Sequence, residues 1–226
     1  MFKLENLNLH YGKKAVLSNI NLEIKEGESV AVVGESASGK TTLMNHLYKL
    51  RPNQVAWCPQ DEALVPSLSA FHNIYAGTLS EHRFLYNLRN LIRPYPHEYE
   101  KVERIAAALD LESALKTSVD QLSGGQKQRI NIARAMIQKH AIFLADEPVS
   151  AQDDFHKVKI IKTITSSFNT CVFVFHDLDL ALTCCQRIIG LAKGKILFDE
   201  HVSNVTKKQL SLVYSHHNTN LENLLV

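Results

Sequence analysis

The stretch Gly34-Glu35-Ser36-Ala37-Ser38-Gly39-Lys40-Thr41-Thr42 has the residue types and spacing of a loop that wraps phosphate groups, Gly-x-x-x-x-Gly-Lys-[Ser/Thr]. In such a loop, backbone N–H groups and the N-terminus of the next helix face an anion, and Lys40 adds a point charge. Thr41 would place its hydroxyl on Mg²⁺. By chance a pattern this constrained arises on the order of once per hundred chains of this length, so its flanks decide. They agree with the chemistry: Ser29 to Val33 is short, apolar and β-branched, and Leu43, Met44, Leu47 and Leu50 recur at helical spacing.

Other reactive groups stand at the ends of apolar runs. Ala141 to Ala145 reads as a buried strand delivering Asp146 and Glu147. Adjacent carboxylates there can divide labour, Asp146 facing Mg²⁺ and Glu147 orienting or deprotonating a water, or they can simply close a strand. Cys171 to Phe175 ends at His176, whose imidazole can hydrogen-bond a γ-phosphate and an attacking water, or serve as a turn residue. Gln54 to Cys58 ends at Pro59-Gln60, where Gln60 can hold a metal ion or water, or lie solvated in a turn. Ser123-Gly124-Gly125-Gln126 opens a helical run with N–H groups free for an anion, or with no more than an N-cap. Tyr11 ends an alternating segment, where an aromatic ring can stack on a base or fill its own hairpin.

The elements that must position these groups follow from periodicity. Phe2 to Tyr11 and Val16 to Ile24 alternate around Gly12-Lys13-Lys14, which predicts antiparallel strands beside the phosphate loop. Residues 66–121 have another texture: Leu85, Leu88, Leu91 and Ile92, then Val102, Ile105, Ala106 and Leu109, predict amphipathic helices separated by Pro94-Tyr95-Pro96. This is a helical lobe inserted into an α/β core. Phe155 to Phe168 gives a further helix face, and Ile188 to Ala192 with Ile196 to Phe198 flank Lys193-Gly194, a hairpin signal. After Asp199 one short helix is expected before the end frays.

Composition narrows the classes. The 226 residues suffice for one sizeable core with a smaller lobe, and 25 basic against 23 acidic residues, without dense basic runs, leave no electrostatic footprint for nucleic acid. No apolar run approaches the roughly 18 residues of a spanning helix, and the first residues lack a signal-peptide layout, so a cytosolic chain is expected. Cys58, Cys171, Cys184 and Cys185 form no Cys-x-x-Cys pair and read as reduced, mostly buried thiols. His216-His217 could ligate metal or lie in a solvated tail.

Taken in order over about residues 2–200, these motifs resemble those of the ATP-binding cassette ATPases. Leu122-Ser123-Gly124-Gly125-Gln126 is similar to that family's signature motif, Gly34 to Thr41 to its Walker A loop, Gln60 to its Q-loop and Ile142 to Glu147 to its Walker B strand. Asp153 matches the D-loop aspartate and His176 the switch histidine, and Tyr11 falls where the family stacks an aromatic on adenine. The resemblance implies an α/β P-loop NTPase of the ABC type, with a RecA-like core, N-terminal antiparallel β-strands and an inserted helical subdomain. It divides the chain into a nucleotide-binding core (1–65 and 123–200), a helical subdomain (66–122) ending at the signature motif, and a C-terminal tail (201–226).

The implied ligands are ATP and Mg²⁺, with Glu147 as catalytic base assisted by His176 and Gln60, and Thr41, Gln60 and Asp146 on the metal. The implied partners are separate membrane permease subunits docking after Gln60, a second copy in a head-to-tail ATP-sandwich dimer, and a solute-binding protein if the system imports. No nucleic acid is expected, and the location implied is the cytoplasmic face of the membrane. A looser likeness to phosphonate importer ATPases rests on Asn73 to Leu79, the Arg/Leu-rich stretch to Leu91, His176 to Leu182 and Leu212-Val213-Tyr214. An exporter or lipoprotein-release ATPase, a soluble non-transport cassette and a nucleotide-binding regulator stay open beside it. Three positions depart from the pattern: Ala37 replaces a usual glycine, Gln152 replaces a usual leucine, and only 19 residues (41–59) separate Lys40 from Gln60, where an antiparallel arm is usual.

Overall fold

The computed structural model describes residues 1–12 and 14–214. Strands β1 (Phe2–Tyr11) and β2 (Lys14–Ile24) pair antiparallel into a two-stranded sheet. Then come β3 (Ser29–Val33), helix α1 (Lys40–Leu50) and β4 (Val55–Cys58), joined so directly that no arm lies between α1 and β4. Helices α2 (Ala70–Tyr75), α3 (Phe84–Ile92) and α4 (Pro96–Ala108) follow without adding a strand to either sheet. The chain returns through α5 (Gly124–Met136), β5 (Ile142–Asp146), α6 (Asp154–Ser167) and β6 (Thr170–Phe175). It closes with α7 (Leu178–Cys184), β7 (Arg187–Ala192), β8 (Lys195–His201) and α8 (Lys207–Val213).

The second sheet has six strands in the order β4-β5-β6-β3-β7-β8, parallel except for the β7–β8 hairpin. Strand alternation splits the core into two layers. Val30, Val32, Leu144, Val172 and Val174 face α1 and the β1–β2 sheet. Ala31, Val33, Phe143, Ala145, Phe173 and Phe175 face the other way, into one apolar layer shared with α2, α4, α5 and α8. Because the strands are parallel, all their carboxyl ends open on one edge, and loops there meet any ligand.

Helix α3 forms where the leucine spacing predicts it, but its apolar side is turned out. Phe84 and Leu85 are 76% exposed and Ile92 79%, whereas the buried residue is Asn90. The polar side does the seating: Tyr75 donates to Asn87 at 3.0 Å, Tyr86 donates to the buried Glu98 at 2.9 Å, and Asn90 accepts from the Tyr95 amide at 2.9 Å. The four cysteines are free, and Cys58, Cys171 and Cys185 are buried, where desolvation pushes the Cys58 and Cys171 thiols up to about 12. Among the described residues no helix is long and apolar enough to cross a membrane. His216-His217 and the rest of the tail from 215 on lie outside the described residues.

Candidate functional site

The loop between β3 and α1 is built for an anion. Its last glycine, Gly39, has φ 108°, and a Cβ there would sit 2.6 Å from Leu17 Cδ2, so the backbone must turn without a side chain. Gly39 also caps α1 with no side-chain hydrogen bond and no acidic residue in the first turn, leaving the helix N–H groups unclaimed by any side chain. Ala37, the residue in place of a usual glycine, takes φ 61° in the left-handed region. Lys40 is 5% exposed, and its Nζ donates to the carbonyls of Gly34 at 2.7 Å and Glu35 at 2.9 Å. Burial lowers its pKa, opposed by the charges of Glu147 and Asp146.

Above this loop lies a cavity of about 740 Å³, the size range of a small-molecule site. Ser36, Ala37, Gly39, Lys40, Thr41 and Thr42 line one side, and Gln60, Glu147 and His176, from the ends of β4, β5 and β6, line another. Glu147 is held between its neighbours: Oε1 lies 2.6 Å from His176 Nε2, and Oε2 accepts from Gln60 Nε2 at 3.4 Å. Its backbone has φ 53°, a strained setting for a glutamate, secured by the Glu147 amide to Val174 and by Gln128 Nε2 donating to the Glu147 carbonyl, each at 3.2 Å.

Asp146 is 1% exposed, and neither carboxylate oxygen has a hydrogen-bond partner. Burial raises its pKa, while the neighbouring Thr41 hydroxyl and the Lys40 charge pull the other way. A buried, orphaned carboxylate beside a threonine hydroxyl fits Mg²⁺, which takes one or two protein oxygens and fills its shell with phosphates and water. Among the described residues no cluster of three or more His, Cys, Asp or Glu side chains forms a metal cage.

Several expected residues stand elsewhere. Ser123 acts as an N-cap: its hydroxyl accepts from the Gln126 amide at 3.2 Å, and Gln126 Oε1 accepts from the Ser123 amide at 3.0 Å. Neither these residues nor Gly124, Gly125 and Asp153 line the cavity. Asp153 caps α6 and pairs with His156 at 2.7 Å, and hydrogen bonds from His156 lower its pKa. Tyr11 closes β1, and its side chain lies outside the described residues.

The structure also adds residues that motif reading passed over. Lys14, the first residue of β2, and Lys193, in the β7–β8 turn, bring two more cations to the cavity wall. Gln152, the odd residue beside Asp153, donates to the Gly125 carbonyl at 2.7 Å and ties that segment to the start of α5. Further along α5, Asn131 donates to the Pro59 carbonyl at 2.9 Å, and Arg134 donates to the carbonyls of Glu62 and, at 2.9 Å, Ala63. The loop carrying Gln60 is thus strapped to α5 by its backbone. Only the turn composition around the two lysines is a local signal; the other contacts span 27 to 72 residues.

Known proteins resemble this chain in sequence and in fold. The sequence model of the ABC transporter family matches residues 17–54 and 48–150. The chain is 33% identical to a phosphonates import ATP-binding protein of Trichodesmium erythraeum over 95% of either chain. It is 30% identical to the one of Rhizobium johnstonii, over 95% of this chain and 86% of that one. A bacterial ABC transporter cassette solved as a dimer superposes with a TM-score of 0.77 at 29% identity, covering 89% of this chain and 99% of that one. The same cassette is known in a post-hydrolysis state with ADP and Pi.

Proposed function

The chain belongs to the ABC transporter family as an ATP-binding, ATP-hydrolysing subunit, and we propose that the cavity over residues 34–42 is its hydrolytic site, working with Mg²⁺ inside a head-to-tail dimer. The observation that carries this reading is the juxtaposition at the sheet edge: a loop with an unclaimed helix N-terminus, an orphaned Asp146, and Glu147 held between His176 and Gln60.

Each group has a role consistent with its surroundings. Lys40 trades its two loop carbonyls for phosphate oxygens when nucleotide enters, and the N–H groups of α1 take the remaining negative charge. Asp146 with Thr41 and Gln60 would hold Mg²⁺, which would supply positive charge against the phosphates. Glu147 accepts the proton of the attacking water, His176 orients its carboxylate from one side and Gln60 from the other. Ser123, Gly124, Gly125, Gln126 and Asp153, exposed or remote from the cavity, serve the site of a second copy. Tyr11 stacks on the base.

In this reading residues 1–65 and 123–200 form the nucleotide core, 66–122 the helical subdomain and 201–226 the tail. The subunit sits at the cytoplasmic face of a membrane on separate permease subunits. The exposed apolar row of α3, Phe84, Leu85, Leu88 and Ile92, supports a docked partner on the helical subdomain, because monomeric surfaces rarely leave such a row uncovered. For the transported solute we propose a phosphonate or a related small anion, taken up with the help of a solute-binding protein. The support is the likeness to the two phosphonates import proteins, at 30–33% identity.

The test is steady-state ATPase activity of the purified chain beside Glu147→Gln, with size-exclusion chromatography in ATP and Mg²⁺. Loss of a general base costs about 10²–10⁴-fold, so the variant is expected to bind ATP, hydrolyse it at least 100-fold more slowly and accumulate as a dimer. Hydrolysis undiminished in Glu147→Gln would remove that residue from the role.

A further inference from the structure

We propose that Tyr214, at the end of α8, is a positioning residue for the phosphate loop, its hydroxyl fixing the backbone at the loop's root for nucleotide binding. This rests on the reading of residues 34–42 as the phosphate cradle. The root of the loop is Gly34, the first residue beyond the β3 ladder, whose last paired residue is Val33. Its N–H has left the sheet, and it donates to Tyr214 Oη at 3.2 Å across 180 residues of sequence.

The rest of Gly34 is held as well. Its carbonyl accepts from Lys40 Nζ at 2.7 Å, and a Cβ on it would lie 2.1 Å from the Leu191 carbonyl oxygen of β7. Three directions of motion are therefore closed, by α8 at the amide, by Lys40 at the carbonyl and by β7 at the α-carbon. Two of these constraints belong to the loop and its own sheet. The third comes from the far end of the chain.

Helix α8 is firm enough to deliver it. Thr206 and Gln209 form a capping box at its start, and Leu210 and Val213 are 0% and 1% exposed in the apolar layer it shares with the sheet. Tyr214 itself is 9% exposed, and its amide donates to the Leu210 carbonyl, so the ring is placed by packed helix. Desolvation pushes the phenol up to about 12, and its oxygen accepts from the Gly34 amide as a neutral hydroxyl.

The loss to expect follows from this geometry. Removing the hydroxyl leaves a buried N–H unpaired at the point where the loop springs from the sheet. The loop root then gains freedom that nucleotide must quench on binding, and affinity falls while the chemical step, set by Glu147 and its neighbours, does not.

The experiment compares Tyr214→Phe with Leu210→Ala in the full chain, measuring equilibrium binding of ATP and ADP with Mg²⁺, the KM and kcat of hydrolysis, and Tm. Tyr214→Phe is expected to weaken nucleotide binding and raise KM by about 3–10-fold with kcat within twofold, the size of one lost hydrogen bond. Leu210→Ala, a cavity in the same helix that keeps the hydroxyl, lowers Tm by more and costs clearly less affinity than Tyr214→Phe. Affinity of Tyr214→Phe within twofold of wild type overturns the proposal, and so does an equal loss of affinity in Leu210→Ala, which would mean general loosening. Lys40→Ala is the reference arm: if it binds nucleotide normally, the phosphate-cradle reading itself fails; if it loses binding while Tyr214→Phe does not, only the role of Tyr214 fails.

Discussion

Replacing Ala37 by glycine separates strain in the fold from strain in the function. Ala37 already holds φ 61° without nucleotide, in a region that costs an L-residue about 1–2 kcal/mol relative to right-handed backbone. Glycine removes that cost but enlarges the unfolded ensemble, which takes back about 0.4–1 kcal/mol. The net gain in stability is then between about 0 and 1.6 kcal/mol, and at about 2–4 °C per kcal/mol for a chain of this size the Tm rises by up to about 6 °C. Binding is a separate matter. Because the left-handed turn exists before ligand arrives, the strain is present in the free and bound states alike and cancels in the affinity. ATP affinity of Ala37→Gly is therefore expected to stay within about threefold of wild type, tighter if at all. Thermal melts and nucleotide titrations on the same preparation test both halves. A Tm lowered by several degrees, or affinity weakened tenfold, would refute the reasoning and show that the alanine methyl makes a contact the loop depends on.

Two further outcomes follow from the site and its surroundings. Burial holds the Asp146 pKa above its ordinary 3.8, so between those two values the folded chain keeps a proton that the unfolded chain has released. The stability of the ligand-free protein accordingly falls as pH rises through that window, and Asp146→Asn is expected to raise its Tm at pH 7. The same variant is expected to lose any additional ATP-dependent stabilisation by Mg²⁺ found in wild type, and thermal shift with and without Mg²⁺ reads both. On α3, Phe84→Asp combined with Ile92→Asp lies on exposed positions, so stability should change by less than about 1 kcal/mol with ATP binding intact. Recovery of permease subunits in pull-downs from membranes should drop at least tenfold, and full recovery would locate docking elsewhere.

The parts of the molecule that were legible in advance are those in which sequence neighbours are also neighbours in space. Strand, loop and helix around Lys40 are contiguous, and each apolar run that ends in Gln60, Glu147 or His176 delivers its group to the common edge of a parallel sheet. The lobe was visible as a change of period but the orientation of α3 was not. Its leucines mark an amphipathic helix, and which side faces in was decided by Tyr86, Asn87 and Asn90 meeting partners on other elements. The left-handed turn at Ala37 was foreshadowed by the glycine it replaces. Gln152 and Tyr214 act through carbonyl and amide groups far away in sequence, and backbone partners carry no side-chain signature to read.

The strap between α5 and the Gln60 loop makes that helix a lever. Its backbone rises about 1.5 Å per residue, so Asn131 stands about 12 Å along the axis from Ser123. With Asn131 and Arg134 gripping Pro59, Glu62 and Ala63, the loop can shift only if the helix tilts. A tilt of about 5° about that grip swings the Ser123 end by about 1 Å, enough to make or break a hydrogen bond there. Whatever presses on the lobe is thereby felt at both ends of one rod, at the loop that carries Gln60 and at the serine that faces outward.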